Sequence, residues 1–378
     1  MQISGGYWRQ LPKNRLVVPV SFLKDGKEPG FAVHAGGIPY FRKMEKPLVS
    51  ILIPFRNTGD YFTECLQSVM EQAYTNWEVI AVDDHSTDGS WGVAELFATA
   101  DHRFRLLKNK GNGIIPALRE AYAHSLGQMI TRMDSDDIMP PEKLKHMCAS
   151  LIQHGSGHLA TGKVSYFSIR GISDGYARYE AWLNTLTEAG RNFSEIYKEC
   201  PVPSPCWMVY RSDLDACGAF SSDRYPEDYD LCFRFYAQNL RIIPCDTILH
   251  YWRDYDMRTS RNSEHYAQNY FLDIKLHYFL KLDRDRRRPL VVWGAGGKGK
   301  AIASSLAKSD IHFRWLCDNP NKTGKSVYGI RLEHYSVLNE IEDAQSIITV
   351  ANAGAQDAIR EFLQIRGQLP MRDYFFFC

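Results

Sequence analysis

The sequence predicts an α/β protein: a parallel-type sheet with helices on both faces, followed by a second, smaller α/β unit. Two observations carry this. From Pro47 onward short apolar runs alternate with stretches of helical periodicity, and strict βα alternation implies parallel strands. Past residue 288 a glycine-rich turn, set between an apolar run and a helical stretch, starts the same rhythm again.

Residues 1–46 read as a β-rich extension, because "RLVVPVSFL" and "GFAVHA" flank the turn-forming "KDGKEP". "VSILI" (49–53) is the first strand of the main sheet, and "YFTECLQSVMEQ" (61–72) spaces Phe62, Leu66, Val69 and Met70 at helical intervals. "WEVIAV" (77–82), "FRLLKN" (104–109) and "QMITRM" (128–133) are further strands, separated by the helices "SWGVAELFATA" and "IIPALREAYAHSL". A helix opens at Pro140-Pro141-Glu142, whereas residues 155–225 look irregular. Another helix begins in "PEDYDLCFRFYAQ", and one over about 264–282 puts Ala267, Tyr270, Phe271, Ile274 and Tyr278 on one stripe. The expected boundaries are 47–262 for the first unit, 263–288 for a helical linker ending in "DRDRRRP", and 289–378 for the second unit.

Composition narrows the function. Lys and Arg number 45 against 44 Asp and Glu, so no global basic field points to nucleic acid. The nine cysteines show no CxxC pair and no zinc-ligand spacing, which fits thiols in a reducing compartment. No apolar run approaches the roughly 20 residues of a membrane helix, and the first residues lack a secretory leader. A cytoplasmic protein is expected, with peripheral contact to a membrane-borne partner left open.

The chemistry must then be local, and it gathers at predicted strand ends, where open α/β sheets bind ligands. "DSDD" places Asp134, Asp136 and Asp137 within four positions. A hard divalent cation, Mn²⁺ or Mg²⁺, offsets that repulsion and takes oxygen ligands from carboxylates and phosphates. The bland alternative, an Asx turn or helix cap before Pro140, uses one aspartate well but not three.

"VSILIPFRN", "WEVIAVDDHSTDGS", "NKGNGIIPAL", "RMDSDD" and "PEDYDLCFRF" stand in the order found in family 2 glycosyltransferases, and residues 48–260 resemble that family. The resemblance implies a GT-A fold, a nucleotide-sugar donor, a divalent metal, inversion at the anomeric carbon and a carbohydrate or lipid-linked glycan acceptor. By position, it implies that Pro54, Phe55, Asn57 and Gly111 belong to the nucleotide pocket. Asp84 would accept a hydrogen bond from the base, with Asp83 beside it. Asp136 would ligate the metal, and Asp134 would lie towards the ribose and metal. Asp228 would be the base that takes the acceptor proton, with Glu227 orienting the acceptor. The alternative is that Glu227, Asp228 and Asp230 only complement a helix N-terminus.

After that helix the chain departs from the family pattern. Arg253 fits the basic, pyrophosphate-contacting role, but Tyr255 stands where a histidine is common. His250 lies earlier, as a candidate third metal ligand or an ordinary hydrogen-bonded histidine. The QxxRW motif of processive synthases is absent, which suggests one sugar per encounter.

In the second unit, Gly294, Gly296 and Gly299 match G-x-G-x-x-G, with Asp318 after the next strand. This resembles the Rossmann-like tails of some sugar-modifying transferases. The glycines can equally serve only a tight turn and close helix–strand packing. A nicotinamide-dependent oxidoreductase acting through this tail, or an inert sugar-binding scaffold, are the competing functions. Neither accounts for the acidic strand ends.

Overall fold

The computed structural model describes residues 46–256, 258 and 271–378. The expected hairpin within 1–46, and the stripe positions Ala267 and Tyr270, lie outside the described residues. Residues 46–378 form a single unit holding two sheets.

The first sheet begins with β1 (Val49–Phe55), followed by α1 (Asp60–Met70), β2 (Trp77–Asp83), α2 (Ser90–Ala100), β3 (Phe104–Lys108), α3 (Ile114–Ala123) and β4 (Met129–Arg132). Successive strand residues point to opposite faces, and β1 shows the consequence. Ile51 and Ile53 join the core under α1, α2 and α4 (Lys143–His154), while Leu52 joins Leu118 of α3 on the other side. Helices on both faces leave no polar side to this part of the sheet, so its strands read as continuous apolar runs.

The expected parallel sheet is mixed. Its remaining strands are β5 (His158–Phe167), β6 (Trp207–Tyr210) and β7 (Arg241–Arg253), giving the order β3-β2-β1-β4-β6-β5-β7. β6 runs antiparallel to both β4 and β5. The region expected to be irregular holds β5, β6, the fifteen-residue α5 (Asp174–Glu188) and α6 (Arg211–Ala216). β5 was hard to read because its pattern breaks at Gly162, where the pairing with β7 shifts register. A Cβ there would fall 2.6 Å from Leu249, so only glycine lets the two strands close up. The helix expected at Pro140 starts instead at Lys143, after a turn closed by Lys143 N–H donating to the Pro140 carbonyl at 3.1 Å.

α7 (Glu227–Ala237) buries Leu231, Phe233 and Phe235, each contributing about 1.5–3 kcal/mol of transfer free energy. α8 (Leu272–Tyr278) packs beside it, with the Phe233 and Tyr278 rings 4.5 Å apart.

The second sheet contains β8 (Leu290–Trp293), β9 (Arg314–Cys317), β10 (Ser326–Val327), β11 (Ile330–His334), β12 (Gln345–Ile348) and β13 (Tyr374–Phe376), in the order β10-β11-β9-β8-β12-β13. Its five parallel strands follow a 3-2-1-4-5 arrangement, with α9 (Gly297–Lys308) after the first and α10 (Ala353–Ile365) after the fourth. Leu290 and Val292 face the core shared with α7 and α8, and Val291 and Trp293 face a separate core with Leu363. The "DRDRRRP" run packs against this sheet: Arg288 donates to Asp373 Oδ1 at 2.7 Å and to the Ala344 carbonyl at 3.1 Å. Among the described residues no helix is long and apolar enough to cross a membrane.

Candidate active site

A cleft of about 1000 Å³ opens beyond the carboxyl ends of β1, β2 and β4, and its opposite wall is the N-terminal turn of α7. Pro54, Phe55, Asp84, Asp134, Asp136, Glu227 and Asp228 all line it. Three sequence-separated acidic clusters thus meet in one space.

Arg132 joins two of them. Arg132 is the last residue of β4, and Asp134 follows two residues on in the turn beyond the strand. The guanidinium donates to Asp134 Oδ1 at 3.0 Å and to Glu227 Oε1 at 2.9 Å. Burial opposes its charge, but Asp134, Glu227 and Asp228 outweigh that and hold its pKa above the usual value. Sequence reasoning missed Arg132, although its place two residues before Asp134 was a usable signal.

Asp228 stands at the start of α7. Burial pushes its carboxyl up to about 7, with the charge of Glu227 adding to the shift. Asp230 has a different job: it accepts from Arg234 one turn on at 2.8 Å and from the Tyr278 hydroxyl at 2.6 Å. Asp230 therefore ties α7 internally and to α8.

The four residues of the "DSDD" turn divide the labour. Asp136 lines the cleft and accepts from the Tyr255 hydroxyl at 2.9 Å. Burial, then Asp137 and Asp134, raise its carboxyl to about 7. Asp137 is 1% exposed and faces away from the cleft; it accepts from His250 Nε2 at 2.9 Å and from the Arg253 backbone N–H at 2.8 Å. Lys143 Nζ lies 3.4 Å from His250 Nδ1, which places the imidazole proton on Nε2, towards Asp137. Burial, and then Lys143, depress the His250 pKa and keep the ring neutral.

His250 and Arg253 therefore stand behind the cleft rather than in it. Arg253 Nε donates to the Asp136 carbonyl at 2.7 Å, and its guanidinium lies over the Tyr61 and Phe167 rings. Both residues hold β7 against the acidic turn. Arg258 lines the cleft, as do Arg56 and Arg132, and the sequence offered no signal for it.

At the far end, Asp84 Oδ1 accepts from Asn109 at 2.6 Å and from the Gly113 N–H at 2.8 Å, and Arg56 approaches Oδ2 at 3.5 Å. Asp83 caps the following turn through Ser86 N–H at 3.0 Å, and Asn57 accepts from Thr87 N–H at 2.7 Å. Neither lines the cleft, nor does Gly111, whose place is taken by Gly113. Added at Gly111, a Cβ would fall 2.8 Å from Pro116, so that glycine serves a tight turn.

Among the described residues no three or more Asp, Glu, His or Cys side chains form a protein-only metal cage. Asp134 and Asp136 alone fit a Mg²⁺- or Mn²⁺-like ion, which commonly uses one or two carboxylates and completes its shell with ligand oxygens.

Two of the three motif glycines of the second sheet, Gly294 and Gly299, have steric reasons, whereas a Cβ on Gly296 would meet open space. Gly294 has φ +98°, and a Cβ on Gly299 would fall 2.0 Å from the Gly294 carbonyl oxygen.

Comparison with known proteins places the chain among glycosyltransferases. The description "Glycosyl transferase family 2" matches residues 50–218. Glycosyltransferase GlyG of Streptococcus pneumoniae is 42% identical over 94 residues, 24% of this chain and 31% of that protein. Putative glycosyltransferase EpsE of Bacillus subtilis is 34% identical over 206 residues, 52% of this chain and 69% of that protein. An Escherichia coli protein named UDP-Glc:alpha-D-GlcNAc-diphosphoundecaprenol beta-1,3-glucosyltransferase WfgD is 33% identical over 113 residues, 29% of this chain and 44% of that protein. The match to EpsE covers more than two thirds of that relative, and the chain belongs to the family 2 glycosyltransferases.

Proposed function

We propose that the chain is an inverting, metal-dependent, non-processive transferase. It moves one sugar from a UDP-sugar to an acceptor hydroxyl during surface polysaccharide or glycoconjugate synthesis. The observation that carries this is the opposition, within one cleft, of Asp134 and Asp136 to Asp228, with Arg132 spanning from Asp134 to Glu227.

Each group has a role in that reaction. Pro54, Phe55, Asp84 and Gly113 form the nucleotide end, where Asp84 offers an acceptor to a base N–H. Asp134 and Asp136 would hold Mn²⁺ or Mg²⁺, which supplies charge stabilisation to the departing diphosphate. Asp228, held near 7, takes the proton of the attacking hydroxyl, since a base poised near the working pH is the most effective. Glu227, its charge balanced by Arg132, accepts from a neighbouring hydroxyl and orients the acceptor. A single carboxylate acting as base, not nucleophile, inverts the anomeric centre. The UDP choice draws support from the donor in the name of the E. coli relative.

The test is a transfer assay with UDP-, GDP- and dTDP-sugars, Mn²⁺ and a panel of octyl glycosides. UDP release coupled to an inverted product is expected. If no nucleotide sugar is consumed or raises the melting temperature with Mn²⁺ present, the reading fails.

A further inference from the structure

The stretch Glu195–Ser204 has two sides. Towards the cleft it presents Glu199, Cys200, Val202 and Ser204. It also belongs to the wall of the proposed base, because the Tyr229 hydroxyl donates to the Ile196 carbonyl and Tyr179 donates to the Cys200 carbonyl at 3.1 Å.

Its other side rests on the second sheet and on α8. The Tyr197 ring stacks on Phe377, with centroids 5.3 Å and planes 4° apart, and meets Phe375 of β13 edge-on at 5.5 Å. The Tyr197 hydroxyl donates to Asp283 Oδ2 at 2.5 Å. Arg360 of α10 donates to Glu195 Oε1 at 2.8 Å. Lys275 of α8, 1% exposed, donates to the Lys198 carbonyl at 2.8 Å and reaches the Phe377 carbonyl at 3.5 Å.

Burying an ammonium is costly, and an apolar side chain would fill the same volume with less penalty. What a lysine adds is a tie between two backbone segments. One of them is the peptide directly before Glu199; the other leaves β13. Where Glu199 and Cys200 stand in the cleft therefore depends on where the second sheet stands.

We propose that the second sheet is a positioning element for the acceptor side of the cleft, with Lys275, Phe375 and Phe377 fixing the wall from Glu199 to Ser204. Glu199 and Ser204 there offer hydrogen-bonding oxygens to the hydroxyls of a carbohydrate acceptor. The proposed function enters only in naming this the acceptor side.

The experiment uses the full chain with Lys275→Met, Phe377→Ala and the milder Phe377→Leu, and with Lys275→Arg as the conservative control. Hydrogen exchange over 195–204 should quicken roughly tenfold in Lys275→Met and Phe377→Ala, while peptides over β1 and 132–137 keep their protection. Affinity for UDP with Mn²⁺ should stay unchanged. The KM for an octyl glycoside acceptor should rise about tenfold with kcat within about twofold, and Lys275→Arg should restore most of it. Unaltered exchange over 195–204 in every variant would overturn the proposal. So would a loss of UDP affinity in step with general loss of protection. If the unaltered protein binds no UDP, the donor reading fails alone and the exchange measurement still decides this one.

Discussion

Without the Arg132 guanidinium, Asp134 and Glu227 would face each other across the cleft floor with no cation between them. Arg132→Met should therefore cost about 3–5 kcal/mol of unfolding free energy, the usual loss when one partner of a buried charge network is removed. Arg132→Lys should recover little, because one ammonium cannot reproduce the guanidinium fork that reaches both carboxylates. Chemical denaturation measures both. Asp228→Asn keeps shape but cannot take a proton, so transfer should fall by about 10²–10⁴ with UDP affinity unaffected. The same carboxyl sets the pH response. Raised to about 7 by burial and Glu227, it is protonated and idle below that value, so the rate should climb as pH rises through about 7 and then level. A flat profile between about pH 6 and 8, one unit either side of neutrality, would remove Asp228 from the base role.

Elements place these residues by the ordinary geometry of strands and helix starts. β4 ends on Arg132, which holds Asp134 in the turn that follows, and β7 locks that turn through Asp137, His250 and the backbone pairing of Ile138 with Tyr251. α9 approaches β8 so closely at Gly299 that even a methyl group has no room. Gly299→Ala should thus lower stability by about 1–3 kcal/mol, the range for an overpacked core. Thermal unfolding would show it, and UDP affinity of the folded fraction should not change.

For the molecule as a whole, the expected response to ligands follows from charge. Asp136 is raised to about 7 by burial and its acidic neighbours, so the stability it contributes is present below the unfolded carboxylate value, near 4, and is lost as pH rises through about 7. A bound cation reverses that loss, since only the ionised carboxylate ligates. Mn²⁺ with UDP should raise the melting temperature more at pH 8 than at pH 6, on the order of several degrees for each few kcal/mol of linkage. Equal shifts at both pH values, or the same shift with UDP and chelator, would contradict a carboxylate-held metal.

The alternating βα half, the acidic strand ends and the Asp228 helix were legible because each depends on residues adjacent in sequence: a periodicity, a motif, a helix start. What stayed hidden depends on pairing between distant segments. Nothing in "HLATGKVSYF" announces that it will lie between β6 and β7, because its Gly162 makes sense only beside Leu249. Likewise the sequence left His250 open between a metal ligand and an ordinary hydrogen-bonded histidine, and the resemblance put Arg253 at the pyrophosphate; in the fold His250 and the Arg253 backbone N–H both donate to Asp137. Local chemistry can be written in a motif, but which side of a buried carboxylate faces the cleft is settled by packing, and packing is a property of the folded chain.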